Sequence, residues 1–272
     1  MSARRGVAAA EDRRRSELTL DRVRPLLGSD PNSAWGQTPE GSDPFSMVDE
    51  TINGDLGARV AVATAAMPWA PSPSPSVWRK RVHRVGPQES GQVTSVVRYD
   101  PGSSFKAHGH PDGEEILVLE GIFTDDRGDW PAGTYLLNPE GYRHAPSSRD
   151  GCVLFVKLRQ YPGLDRRQVA LDTKDLAWQP GEIPGTEIKP LYSQDGYSDT
   201  MMLERWLPGL QCVRDYPGGV ELFVLDGAFS DEAGDYGAGT WIRLPEGASH
   251  SPRTAGGCTL YIKQGGLRYL HH

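Results

Sequence analysis

The stretch AHGHPDGEEILVLEG, Ala107 to Gly121, sets two histidines one residue apart, follows them with an acidic pair, and closes on an apolar run that ends at glycine. On a β-strand residues i and i+2 share a face, so His108 and His110 can turn both imidazoles toward one point. Glu114 follows across the turn-like PDG, in a register that can return a carboxylate to that point. Further along, NPEGYRH supplies His144. Three imidazoles and one carboxylate make a borderline-soft donor set suited to divalent Zn, Fe, Mn or Ni. An ion so held keeps about one net positive charge. It can polarise a bound oxygen or lower the pKa of bound water.

Such side chains must be positioned by regular elements, and the sequence supplies them twice. PDGEEILVLEGIFTDDRGDWPAGTYLLNPEGYRHAPSSRDGCVLFVK, Pro111 to Lys157, aligns without a gap to PGGVELFVLDGAFSDEAGDYGAGTWIRLPEGASHSPRTAGGCTLYIK, Pro217 to Lys263, with 22 of 47 positions identical. Upstream, TAAMPWAPSPSPS from Thr64 matches TKDLAWQPGEIPG from Thr173, with Trp69 opposite Trp178. Two tandem copies of one unit are the simplest architecture. Within each copy short runs rich in Val, Leu and Phe alternate with turns bearing Gly and Asp, the texture of an all-β sandwich or barrel. Helix signals are scarce after Val62. We place an N-terminal extension at 1–61, partly irregular or disordered, a first domain at 62–166 and a second at 171–270.

Composition narrows the class. The chain has 272 residues and a formal charge of -7, with no basic footprint of the kind that neutralises nucleic-acid phosphates. It contains no apolar run long enough for a membrane helix, and its start lacks the apolar core of a secretory signal. The three cysteines, Cys152, Cys212 and Cys258, are odd in number, widely spaced and set in or beside apolar runs, which argues against a disulfide framework, and Cys152 and Cys258, at equivalent places in the repeat, read as buried thiols. The expectation is a cytoplasmic protein without nucleic-acid or membrane partners.

The spacing around the histidines resembles the two cupin motifs. Gly102, five residues, His108-x-His110, three residues, Glu114, six residues and Gly121 match the first; Gly133, five residues, Pro139-x-Gly141, two residues and His144 match the second, with Ser148 where the family has Asn. GEEILVLEG, PAGTYLLNPEG and GCVLFVKLRQ resemble the cupin-like metal domain of the anti-sigma factor ChrR. The resemblance covers both copies, about Val62 to Leu270, and implies two tandem cupin barrels forming a bicupin. It also implies one divalent metal, Zn or Fe foremost with Mn or Ni as alternatives, on His108, His110, Glu114 and His144. Glu115 competes with Glu114 as the fourth ligand, and the interval to Gly121 favours Glu114. An anti-sigma role is not expected, because that family's amino-terminal module uses a Cys-x-x-Cys zinc site and no cysteine precedes Cys152.

In the second copy Arg214, Tyr216 and Val220 stand where His108, His110 and Glu114 do, and only His250 survives. A shifted alignment would offer Asp215, and with Glu221 and His250 that set is poor. The second barrel is therefore expected to be metal-free. Phe105, Trp130, Tyr135 and Tyr142 are candidates for an apolar pocket beside the metal. Three functions follow: a metal-binding bicupin that binds or senses a small molecule, an Fe-dependent dioxygenase cleaving a diketone or hydroxyketone, and a structural pair of barrels stapled by metal. Association into a homodimer fits the resemblance.

Overall fold

A computed structural model describes residues 51–87 and 90–271, and the reading of residues 1–50 as an extension lies outside the described residues. Two antiparallel sheets dominate. In the first, the strands run in the order Val169–Asp172, Thr134–Asn138, Glu114–Asp125, Cys152–Leu158, Gln92–Tyr99, Val77–Val85 and Ala70–Pro71. In the second, the order is Val60–Ala63, Thr240–Leu244, Val220–Ser230, Cys258–Gln264, Thr200–Trp206, Thr186–Tyr192 and Gln179–Pro180. Small two-stranded sheets cap each barrel, His108–His110 with Tyr142–His144 in the first and Arg214–Tyr216 with Ala248–His250 in the second. Among the described residues the helical segments are two short 3-10 turns.

The sheets do not respect the repeat boundary. Val60–Ala63, which opens the first copy, pairs with Thr240–Leu244 of the second barrel. Val169–Asp172, which opens the second copy, pairs with Thr134–Asn138 of the first. Each copy thus lends its first strand to the other barrel. The folded unit also reaches back before residue 62. Ile52 bridges to Arg84, the Asn53 side chain donates to the Val82 carbonyl, and Arg59 pairs with Asp231.

Period-two alternation sorts the strand residues between two cores. On Glu114–Asp125, Ile116 and Val118 point into the first barrel with Leu136, Leu154 and Val156. Leu117 points the other way, into a core shared by both barrels, with Tyr135, Leu137, Phe155, Phe223 and Tyr261. Phe155 and Phe223 stack there with ring centroids 4.4 Å apart. The same parity separates the two adjacent glutamates: Glu114 lies on the barrel side, while Glu115 lies in the shared core and accepts hydrogen bonds from the Tyr161 and Tyr261 hydroxyls. Tyr135 is fully buried in that shared core, so the expectation that it lines the pocket is corrected by the same rule.

The shared core also buries charge. Lys157 Nζ lies 2.6 Å from Glu221 Oε1, both side chains almost wholly shielded from solvent. His83, fully buried, sits with Nδ1 3.1 Å from the Asn53 carbonyl and 3.2 Å from Arg243 Nη1. Burial, with the nearby Arg243 and Lys157 charges adding to it, pushes the His83 imidazole down to about 4. An unfolded chain takes up a proton near pH 6.5 that the folded protein refuses until about pH 4. The sign follows: this residue's share of stability is complete above about pH 6.5 and is lost on acidification toward pH 4, by about 3 kcal/mol. Denaturant melts at pH 7 and pH 5 should show this slope, and His83→Gln should flatten it.

Candidate metal centre

His108 and His110 occupy one short strand and His144 its partner, with His144 directly opposite His108 and Tyr142 opposite His110. The strand geometry that places i and i+2 on one face therefore converges three imidazoles at the mouth of the first barrel. One ring nitrogen from each lies within 4.8 Å of the other two. His110 Nε2 and His144 Nε2 are 2.9 Å apart. Two nitrogens bound to one ion at about 2.1 Å and at right angles would be about 3.0 Å apart, so this separation suits adjacent ligands. Glu114 Oε2 approaches from inside the barrel, 3.7 Å from His110 Nε2 and 3.5 Å from His144 Nε2.

The surroundings set which nitrogen faces the centre. His108 Nδ1 donates to the Lys106 carbonyl at 2.9 Å, which leaves Nε2 with its lone pair. His144 Nδ1 lies 3.4 Å from Asp125 Oδ2, so its Nε2 lone pair also turns inward. Asp125 is itself anchored, accepting from Trp130 Nε1 at 2.9 Å and from the Arg127 backbone N–H at 2.9 Å. Burial alone would raise the Asp125 carboxyl, but these hydrogen bonds and the Arg127 guanidinium hold it below its ordinary value. It stays an anion behind the imidazole. Carboxylate partners of this kind orient metal-binding histidines and raise their basicity.

Burial pushes the His110 imidazole down to about 4, with the His108 and Arg159 charges adding to the effect. Burial lowers His144 as well, opposed by Glu114 and Asp125. Both shifts favour the neutral ring, the form that ligates. Burial raises Glu114, opposed by His144 and by Asn138, whose Nδ2 donates to Oε2 at 3.2 Å. A cation among these four donors would reverse that penalty.

The expected pocket residues divide. Phe105 lines a cavity of about 70 Å³ that also reaches His108, His110 and Glu114. Trp130 serves the site through Asp125, and Tyr142 packs its ring 5.4 Å from that of His144. Ser148, at the motif's Asn position, is buried and donates to the Ile122 carbonyl. Sequence reasoning passed over Asp125, read only as a turn residue. The signal was available, since Asp125 and Asp231 hold equivalent places in the repeat.

In the second barrel the ungapped alignment holds: Arg214 lies opposite His250, as His108 lies opposite His144. Asp215 is exposed. Asp231 still contacts His250 Nδ1, at 3.0 Å. The donors are gone, however: Arg214 Nη1 bonds Glu204 Oε1 at 2.7 Å and Trp206 is fully buried where the first barrel has Tyr99. A guanidinium and an indole fill this interior. The described residues yield one cluster with ligand geometry, that of the first barrel.

A protein-family model described as the ChrR cupin-like domain matches this chain twice, over residues 57–162 and 166–268. The chain belongs to the ChrR cupin-like family. Its fold, two tandem cupin barrels, recurs in solved structures of low sequence identity. A Nostoc punctiforme protein provisionally named a dioxygenase superposes with a TM-score of 0.65 at 16% identity, over 78% of this chain and 84% of that one. YlbA from E. coli gives 0.62 at 14% identity, over 82% and 97%. The bacterial pirin YhhW from E. coli, solved in complex with nickel(II), gives 0.54 at 16% identity, over 76% and 98%. No curated protein matches the sequence significantly.

One effect of this site is measurable apart from activity. Asp125→Asn keeps the shape but removes the charge that fixes the His144 tautomer. It is expected to weaken metal affinity by about 10- to 100-fold, read by competition with a chromophoric chelator.

Proposed function

We propose that the first barrel of this bicupin holds one divalent transition metal through His108, His110, Glu114 and His144 and binds a small molecule beside it. The observation that carries this reading is the 2.9 Å approach of two buried imidazole nitrogens, one of them fixed as a lone-pair donor by Asp125. Bound there, a divalent ion supplies Lewis acidity and a polarised oxygen ligand. The chain's own residues do the rest. Asp125 holds the His144 proton at Nδ1, the Lys106 carbonyl holds that of His108, and Asn138 orients the Glu114 carboxylate. Val97, Ile116, Phe123, Leu154 and Val156 form apolar walls of the inner cavity.

Metal analysis of full-length protein, purified without chelators or added metal, tests the reading. About one equivalent per chain supports it, and less than a tenth under metal-replete expression overturns it. A second reading, an Fe-dependent dioxygenase acting on a diketone or hydroxyketone, draws on the cavity that opens beside His108, His110 and Glu114 and on the fold shared with the Nostoc protein. Oxygen consumption by the Fe-loaded protein over a panel of diketones and aryl ketones separates the two. No substrate-dependent uptake leaves the binding reading in place.

A further inference from the structure

Outside the imidazoles, the mouth of the first barrel opens into a cleft of about 640 Å³. Its lining carries three cations, Arg79, Lys106 and Arg159, and no acidic side chain among the described residues, in a chain whose net charge is -7. Arg79 lines both this cleft and the inner cavity, as do Phe105, His108 and His110. The two spaces therefore meet at the imidazoles. The outer one is cationic and the inner one walled mainly by apolar side chains.

Arg159 carries the strongest signal. Its backbone has φ +61, the left-handed region that side chains other than glycine, asparagine and aspartate avoid. The second repeat has Gly265 at this place, with φ +67. The equivalence is fixed by hydrogen bonding, since the Arg159 N–H donates to the Gly113 carbonyl and that of Gly265 to Gly219. One copy relieves the strain with glycine, and the copy with the histidines keeps an arginine there. Strain retained beside a cleft marks a side chain with a task.

The other two cations follow the same division. Arg79 pairs with Val97 across its sheet, and the matching pair in the second barrel is Ile188 with Glu204. Lys106, two residues before His108, corresponds to Cys212, two before Arg214. The second barrel has thus lost all three cations together with His108, His110 and Glu114. Cationic rim and imidazole cluster occur as a set.

We propose that this cleft receives a small organic carboxylate, its head held by Arg159 with Lys106 at the rim, and its short apolar body directed into the barrel toward the imidazoles. Arginine forks match carboxylate oxygens in bidentate geometry. The short body follows from the inner space, about 70 Å³ against the roughly 150 Å³ that accommodates benzene in a protein interior. The placement of the body beside a metal rests on the reading given under Proposed function. The charge selection does not.

Calorimetric titration of the full-length protein with butyrate, butyramide and inorganic phosphate tests this, with metal content measured on the same samples. Butyrate is expected to bind at least tenfold more tightly than butyramide or phosphate. Arg159→Gly is expected to weaken butyrate binding at least tenfold at unchanged metal content, while raising the thermal midpoint because glycine relieves the backbone. Equal binding of butyrate and butyramide, phosphate binding as tight as butyrate, no butyrate binding, or unaltered affinity in Arg159→Gly would each overturn the proposal. Charge-selective butyrate binding by protein lacking metal would sustain it while removing the metal reading.

Discussion

Replacing His110 with alanine is expected to strip the first barrel of its metal, and replacing His144 to do the same, whereas His250→Ala in the second barrel should leave the metal content unchanged. The asymmetry follows from the geometry. His110 and His144 present nitrogens 2.9 Å apart to one point, and loss of either leaves at most three donors. Loss of an outer partner such as Asp125 is expected to weaken affinity by about 10- to 100-fold, so loss of a direct donor should exceed about 100-fold. His250 faces Tyr216 at 3.5 Å and no second imidazole, so its removal subtracts no donor. Elemental analysis of the three variants, with thermal melts to confirm folding, decides the matter. A His110→Ala protein with full metal would place the ion elsewhere.

The second large effect concerns the charges between the barrels. Lys157→Met is expected to destabilise the protein by about 3–5 kcal/mol, because it leaves Glu221 buried without its closest cation. Burial alone would raise the Glu221 carboxyl, but Lys157 first and Lys263 next hold it at about 2, so removing Lys157 withdraws the largest contribution that offsets the burial. The double variant Lys157→Met with Glu221→Leu removes both charges and is expected to recover most of the loss, since an apolar pair of similar volume replaces a desolvated ion pair at little net change. Urea denaturation of the two single variants and the double variant yields the coupling. A double variant no better than Lys157→Met would show that Trp241, which donates to Glu221 at 3.2 Å, needs that carboxylate as much as the lysine does.

Much of the first barrel was legible in residues 107–144, because its candidate ligands are encoded locally. Strand parity brings His108 and His110 together, and the gapless repeat exposes the vacated positions Arg214, Tyr216 and Val220. Parity also resolves Glu114 from Glu115, once Ile116 and Leu117 are seen to face different cores. The misplacement of Tyr135 has the same root, for an aromatic near a ligand in sequence belongs to the opposite face at odd spacing. Asp125 was hidden by its dual nature, since turn-forming aspartates are common and nothing local marks one that also steadies an imidazole. Arg79 and Arg159 belong to no motif. They reach the cleft from segments far apart in sequence, and only the tertiary fold joins them.

The crossing of Val60–Ala63 and Val169–Asp172 between sheets makes the two halves of this duplicated chain mutual scaffolds. A fragment ending near residue 166 would leave the Thr134–Asn138 edge bare, and one beginning near residue 171 would lack the outer edge of its own sheet. Each half alone would expose a sheet edge that the whole chain covers. Free energy that a ligand contributes in the front barrel is therefore expected to reach the rear one through these exchanged strands, with a single thermal transition as its sign.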